Sequence, residues 1–402
     1  MSDTPDDKPL SKRQQRQAAD AVKIYTTPAT TEDLAFIARE LILCTLPHSD
    51  PKNSFLWSRT NGNLTLSIKA VVNEKTGKSY GIPYGIIPRL ILVWIVTEII
   101  RTKSRRLELG NRLSDFLLKL DFNASNGTGK RSDARRVKEQ MERLFHAIIS
   151  FNYSLNGEGR RGSAWLNMQI APKGVLWWSD KDPEQTALFG SWIEVSEDFF
   201  NAVMNAPNPL DIRVLRHIKD SSLGIDLYTI LNREAYRAMK DGKPRFLAWE
   251  WLHEQTGNEY KRLDNFRRDV LIQIKAIIAV YSGLLITQQR GHKGQKSGLV
   301  ISNLSTPSIV PRDAARELVQ SDPNRQPPAL ALIPPPPEKF LKAATVAQFR
   351  GMYPNLDPYA CKADFDVWAE GLAQENKPRH YDAAFKGFAE SWVVGKIIVS
   401  NP

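Results

Sequence analysis

Cysteine is nearly absent, with two in 402 residues, and histidine is scarce, with six. Cys44 and Cys361 stand far apart and cannot by themselves form a disulfide framework or a cysteine zinc site. They are expected as plain buried or free thiols in a reducing cytoplasm. His48, His146, His217, His253, His292 and His380 form no HxH or HExxH cluster. The paired histidines that a metal-dependent nicking nuclease needs are therefore missing. Carboxylate pairs such as Glu197/Asp198 and Asp364/Asp366 read as helix caps and exposed faces. Long apolar runs are also lacking. The strongest, Ile86 to Ile100, is interrupted by Arg89 and Glu98 and is too short and too charged to span a bilayer. The N-terminus shows no apolar leader segment. These absences argue against an enzyme, a metal site, a cofactor and a membrane protein, and the expected location is the cytoplasm. The loop NGTGKRS, Asn126 to Ser132, is not a phosphate-binding loop, because Ala124 stands five positions before Gly129 where the first glycine is required and Ser132 comes one place late.

What the sequence has is positive charge. The formal net charge is +11. Residues 101–143 hold 12 Lys/Arg against 6 Asp/Glu, and residues 233–298 hold 13 against 7. These two segments account for the whole excess. Basic charge concentrated in this way favours a polyanion partner, most simply double-stranded DNA.

The pattern of elements predicts an α+β chain, mainly helical. Residues 1–30 read as a flexible arm. Residues 31–45 have helical periodicity at Leu34, Ile37, Ala38 and Leu41, and residues 54–71 alternate around the turn Asn61-Gly62-Asn63, predicting a hairpin. From 86 to 175 the order is helix, short extended link, helix, helix 131–149, then two strands. From 209 to 303 it recurs, with helices 211–219 and 223–239, strand 245–248, helices 249–256 and 260–279, and strands 280–288 and 297–303. Helices followed by a two-stranded hairpin make the winged-helix order. The expected organisation is thus two tandem winged-helix domains, 31–207 and 208–303. A Pro-rich linker at 304–338 and a small helical module at 339–402 follow. That module is charge-balanced and rich in aromatic residues, which read chiefly as its core and otherwise as a stacking surface for unpaired bases.

The strongest binding candidate is helix 260–279. Leu263, Phe266, Val270, Ile274 and Ile277 form its apolar face, with Lys261, Asn265, Arg268 and Lys275 opposite and Arg262 and Arg267 at the flanks. Arginine suits guanine O6/N7 and asparagine suits adenine N6/N7 in a major groove. The following turn carries Arg290, His292, Lys293 and Lys296, placed for phosphate or minor-groove contact. In the first unit Lys130, Arg131, Arg135 and Arg136 lead helix 131–149, where Glu139 and Glu142 dilute the charge. Phosphate contact and a protein interface fit that helix equally well.

The stretch IPYGIIPRLILVWIVTEIIRTKSRRLELGNRLSDFLLKLDF, followed by GKRSDARRVKEQMERLFHA, resembles the plasmid-encoded RepA replication initiators of bacteria. The likeness covers roughly residues 35–303. It implies winged-helix domains that bind repeated origin sequences, iterons. By analogy with related initiators, one unit would dimerise the protein and the other would read the repeat. It also implies help in opening the origin and recruitment of host replication proteins, a helicase or an initiator. The C-terminal segment, YPNLDPYACKADFDVW onward, resembles a module found after the initiator core. The rival readings are a winged-helix repressor of the protein's own promoter, a primase or nuclease, and a structural or partitioning protein that binds DNA without sequence preference.

Overall fold

A computed structural model describes residues 12–27, 29–52, 54–122, 132–157, 160–178, 185, 190–205, 207–257, 259–291, 296–310, 343–353, 358–370 and 383–389. The chain begins with α1 (Lys12–Thr26), β1 (Leu34–Ala38), α2 (Arg39–Leu43) and the hairpin β2 (Leu56–Asn61) and β3 (Leu64–Lys69). Next come α3 (Ile86–Thr102), β4 (Arg106–Gly110), α4 (Leu113–Lys119), α5 (Asp133–His146), β5 (Ile148–Gly157) and β6 (Arg160–Met168). β7 (Lys173–Val175), β8 (Ser191–Glu194), α6 (Glu197–Asn205) and β9 (Pro207–Asp211) lead into the second unit. That unit contains α7 (Ile212–Ile218), α8 (Ser222–Asp241), β10 (Arg245–Ala248), α9 (Trp249–Thr256), α10 (Leu263–Ile278), β11 (Ile286–Gln289) and β12 (Gly298–Ile301). Helices Ala343–Met352, Pro358–Glu370 and 383–389 follow. The architecture is α+β, with several small antiparallel sheets among helices.

The 54–71 alternation is realised as the β2–β3 hairpin, turning at Gly62 with a φ of 56° that favours glycine. Residues 34–38 depart from expectation. They form a strand, not a helix, because β9 offers a partner from Leu34↔Asp211 to Ala38↔Pro207. The helical periodicity there is local, and the pairing that overrides it comes from about 170 residues away in sequence. The arm also departs from expectation. Lys12–Thr26 is a helix whose Ala21 and Ile24 pack against the core, and Arg213 donates to the Thr27 carbonyl.

The first unit has the expected succession of elements but a different sheet. β4 pairs with β8, in the order β4-β8-β7, and the β5–β6 hairpin extends β2–β3 in the order β2-β3-β5-β6. A succession along the chain does not specify which strand edges meet. The second unit forms a three-stranded sheet ordered β10-β12-β11, with α9 and α10 between β10 and β11. β11 is shorter than expected, because Val280, Tyr281 and Leu284 are buried in a turn before it.

One apolar core runs from Ala35 to Ile301 through both units. α3 lies at its centre and is buried on nearly every side, as a helix without a polar face must be. Residues 304–310, expected as the start of a linker, continue the packing. Ile309 is buried, the Tyr281 hydroxyl donates to the Thr306 carbonyl (2.8 Å), and Tyr228 and Ser308 share a hydroxyl hydrogen bond of 2.8 Å. The rest of the expected linker lies outside the described residues. In the C-terminal module Phe349, Phe365, Phe385 and Cys361 form a separate small core, so these aromatics hold the module together. Both thiols are free and buried, and burial raises Cys44 to about 11 and Cys361 to about 12. Among the described residues no helix is long and apolar enough to cross a membrane.

Candidate nucleic-acid interface

α10 is a helix because its apolar residues recur at helical spacing and find a core. Phe266, Val270, Ile274 and Ile277 are buried and Leu263 is half-buried. Asn265, Arg268 and Lys275 are exposed on the other side. The helix starts later than its pattern predicts. Arg262 is extended (φ −129°, ψ 126°) and caps α10, so Lys261 and Arg262 stand just ahead of it. No Ser, Thr, Asp or Asn marks that start; just ahead of it the Tyr260 amide donates to the Gly257 carbonyl. Both side chains remain exposed. Arg268 pairs with Asp269 at 2.9 Å and Arg262 lies 3.6 Å from Asp264, so the free surface is partly neutralised.

Arg290 and Lys296 are exposed at either end of the turn between β11 and β12. Lys293 lies outside the described residues, as do Lys130 and Arg131. Arg267 ties this turn to α10. Its guanidinium lies 3.3 Å from Ser297 Oγ, and it covers the Trp249 ring at 5.8 Å. α10 and the start of β12 are therefore held together through Arg267.

On α5, Arg135 and Arg136 are exposed, and Arg136 pairs with Asp133 at 3.1 Å. Ser132 caps this helix by accepting from the Arg135 amide. Arg136 also lines a cleft of about 700 Å³ with Asp269, Ile272 and Gln273 of α10, Asp220, Glu259 and Tyr260. α5 and α10 thus face the same cleft from the two units. Among the described residues no group of three or more His, Cys, Asp or Glu could hold a metal ion.

The two segments that carry the sequence resemblance meet in space. Gly85 begins α3 with a φ of 78°, a conformation that favours glycine, and its amide donates to the Pro47 carbonyl. Gln140 of α5 accepts from the Tyr84 amide (3.0 Å), and Arg143 donates to the Ile82 carbonyl (3.2 Å). Arg143 also covers the Tyr84 ring at 5.1 Å. The PYGIIPR loop is thus clasped by the QMERLF helix.

Arg89, in the first turn of α3, crosses to the second unit. Its Nε and Nη2 each donate to Asp226 of α8 at 2.7 Å, and it also donates to the carbonyls of Leu46, Pro47 and Gly85. His48 Nε2 lies 2.8 Å from Asp226 Oδ2. Buried Arg59 donates to Thr45 and to the Gln255 carbonyl, and lies 3.7 Å from Glu259. Glu259 in turn accepts from the backbone amides of His48 and Ser49. Sequence reasoning missed this ionic seam. Its one signal was an arginine inside the most apolar helix of the chain.

Burial opposes ionisation of Asp226, but the Arg89 charge and hydrogen bonds outweigh it and hold the carboxyl well below its ordinary value. Burial, with Arg89 and Arg59 nearby, pushes His48 below 6.5, so the folded protein holds it neutral and donating to Asp226. The unfolded chain therefore binds a proton more readily below pH 6.5. Stability contributed by His48 is complete above that pH and lost as pH falls, with a limiting slope of about 1.4 kcal/mol per pH unit. Asp226 adds a second loss below its ordinary 3.8. Urea melts between pH 7.5 and 5 should show a declining midpoint, and His48→Gln should flatten that decline.

The family model for plasmid-encoded RepA protein matches residues 82–251, from the clasped loop to α9. Over that segment the chain is similar to plasmid-encoded RepA protein. The matched segment covers less than half of the 402 residues, and α10 with strands β11 and β12 lies beyond it. No curated protein sequence matches the chain. Two crystal structures of domains 2 and 3 of RctB are similar at 10% identity. One covers 64% of this chain and 95% of its own with a TM-score of 0.42, and the other 65% and 96% with a TM-score of 0.41.

Proposed function

We propose that this protein is a plasmid replication initiator of RepA type that binds repeated origin sequences through α10 and the adjoining wing. The match of residues 82–251 to plasmid-encoded RepA protein carries the reading. The helix–strand–helix–helix–hairpin succession and the β10-β12-β11 sheet of the second unit support it, being the order that a winged helix requires. In this arrangement Asn265, Arg268 and Lys275 enter a major groove. Lys261 and Arg262 approach from the helix start, and Arg290, Lys293 and Lys296 reach the backbone beside it. Lys130, Arg131, Arg135 and Arg136 add phosphate contacts from the first unit, or that unit pairs two copies into a homodimer. Several copies on adjacent repeats help to open the duplex. The C-terminal module, tethered by the Pro-rich segment, contacts a host helicase or initiator protein at raised local concentration. No catalytic step, metal or cofactor is needed for this work, which takes place in the cytoplasm.

Footprinting on the DNA flanking the protein's own gene tests the proposal at physiological salt. The expected result is protection of regularly spaced direct repeats beside an AT-rich tract. A single inverted repeat over the promoter would mean a repressor with no initiating role. Uniform coating that vanishes with modest salt would exclude sequence-specific recognition.

A further inference from the structure

The solvent face of α10 holds one side chain that its polar neighbours do not account for. Asn265, Arg268, Lys275 and Ala279 are exposed there, and among them Ile272, which borders the cleft shared with Arg136, is still 55% exposed. Ile272 lies two turns after Asn265 on the same stripe and four residues after Arg268. The interval from Asn265 to Ile272 spans about 10.5 Å along the helix, close to three base-pair steps of about 3.4 Å. β-Branching leaves isoleucine one strongly preferred rotamer in a helix, so the side chain is a stiff apolar knob. Ala276 and Ala279 beside it are too short to shield it.

We infer that Ile272 reads a thymine, by seating its side chain against the C5-methyl group at the major-groove edge. This rests on the proposed reading of α10 and names the base class that one position selects. The thymine methyl is the apolar feature of that edge, as O6/N7 of guanine and N6/N7 of adenine are the polar pairs met by Arg268 and Asn265. The stripe Asn265, Arg268, Ile272 thus offers three different chemistries to about three successive base pairs. Ile272 faces away from the buried stripe of Phe266, Val270, Ile274 and Ile277, so its replacement leaves the fold intact.

The test uses the full chain and duplexes that it selects from a random pool. Each thymine is replaced in turn by deoxyuridine, which removes only the methyl group. One position per repeat should weaken wild-type binding about fourfold, the value of one buried methyl. Ile272→Ala should lose a similar factor on the thymine duplex and no longer respond to that replacement, while Arg268→Ala should still respond. If every replacement affects wild type and Ile272→Ala alike, the inference falls; a lost affinity in Arg268→Ala would then leave the α10 reading standing. If Arg268→Ala also binds as wild type, the α10 reading itself fails. If Ile272→Ala instead changes the sedimentation of the free protein with no change in thymine response, the residue serves a protein contact and the inference is overturned.

Discussion

Asp226→Ala is expected to cost about 3–5 kcal/mol, the usual consequence of removing one member of a buried ion pair. Asp226 and Arg89 are both buried, and two parallel hydrogen bonds of 2.7 Å join them. The alanine variant strands the guanidinium inside the protein with only carbonyl partners. It also removes the acceptor of His48. The loss should appear as a lower midpoint in urea with unchanged slope if both units unfold together, as their common core requires. A changed slope, or two separate transitions, would show that the units melt independently. Asp226→Asn keeps the shape and one acceptor and should cost less. In a double-mutant cycle with Arg89→Met, the two losses should be strongly non-additive.

Arg268→Ala should weaken binding to the selected origin repeat by about five- to 150-fold, the worth of one bidentate contact to a base. The same substitution should leave stability almost unchanged. Arg268 is 65% exposed on its side chain, and its ion pair among the described residues is the surface contact with Asp269. Lys261→Ala should weaken binding to specific and random duplexes alike and reduce the salt dependence, because a lysine just ahead of the helix is placed for phosphate. Gel-shift titrations at two salt concentrations separate the two effects. Origin affinity unchanged in Arg268→Ala would remove α10 from the interface. A large loss of thermal stability would make any binding change uninterpretable as base contact, and circular dichroism on the same preparation reads that directly.

Much of the second unit was legible along the chain. β10 and α9 run where their patterns put them, and the apolar stripe of α10 is the one that is buried. These elements are dictated by spacing within a few turns, which the sequence displays directly. The start of α10 was less legible, since Arg262 caps it without a side-chain hydrogen bond. The first unit was legible as a list of elements and illegible as a sheet. Whether β4 meets the β5–β6 hairpin or β8 depends on which edges are brought together, and nothing local encodes that. Leu34–Ala38 makes the same point more sharply, as its period favours a helix and its distant partner makes it a strand.

By itself, the sequence determined the basic charge and where it concentrates, the order of helices and hairpins, and the RepA resemblance at residues later matched by the family model. Those properties belong to composition and to short intervals of chain. Only the tertiary structure decided that the PYGIIPR and QMERLF segments clasp one another. It alone placed Arg89, His48, Arg59, Asp226 and Glu259 in one seam, and turned α5 and α10 toward a shared cleft. Each of these joins residues from tens to more than two hundred positions apart. Such contacts arise from burial and pairing over the whole chain, where a charge is tolerated inside only because its partner arrives from another element.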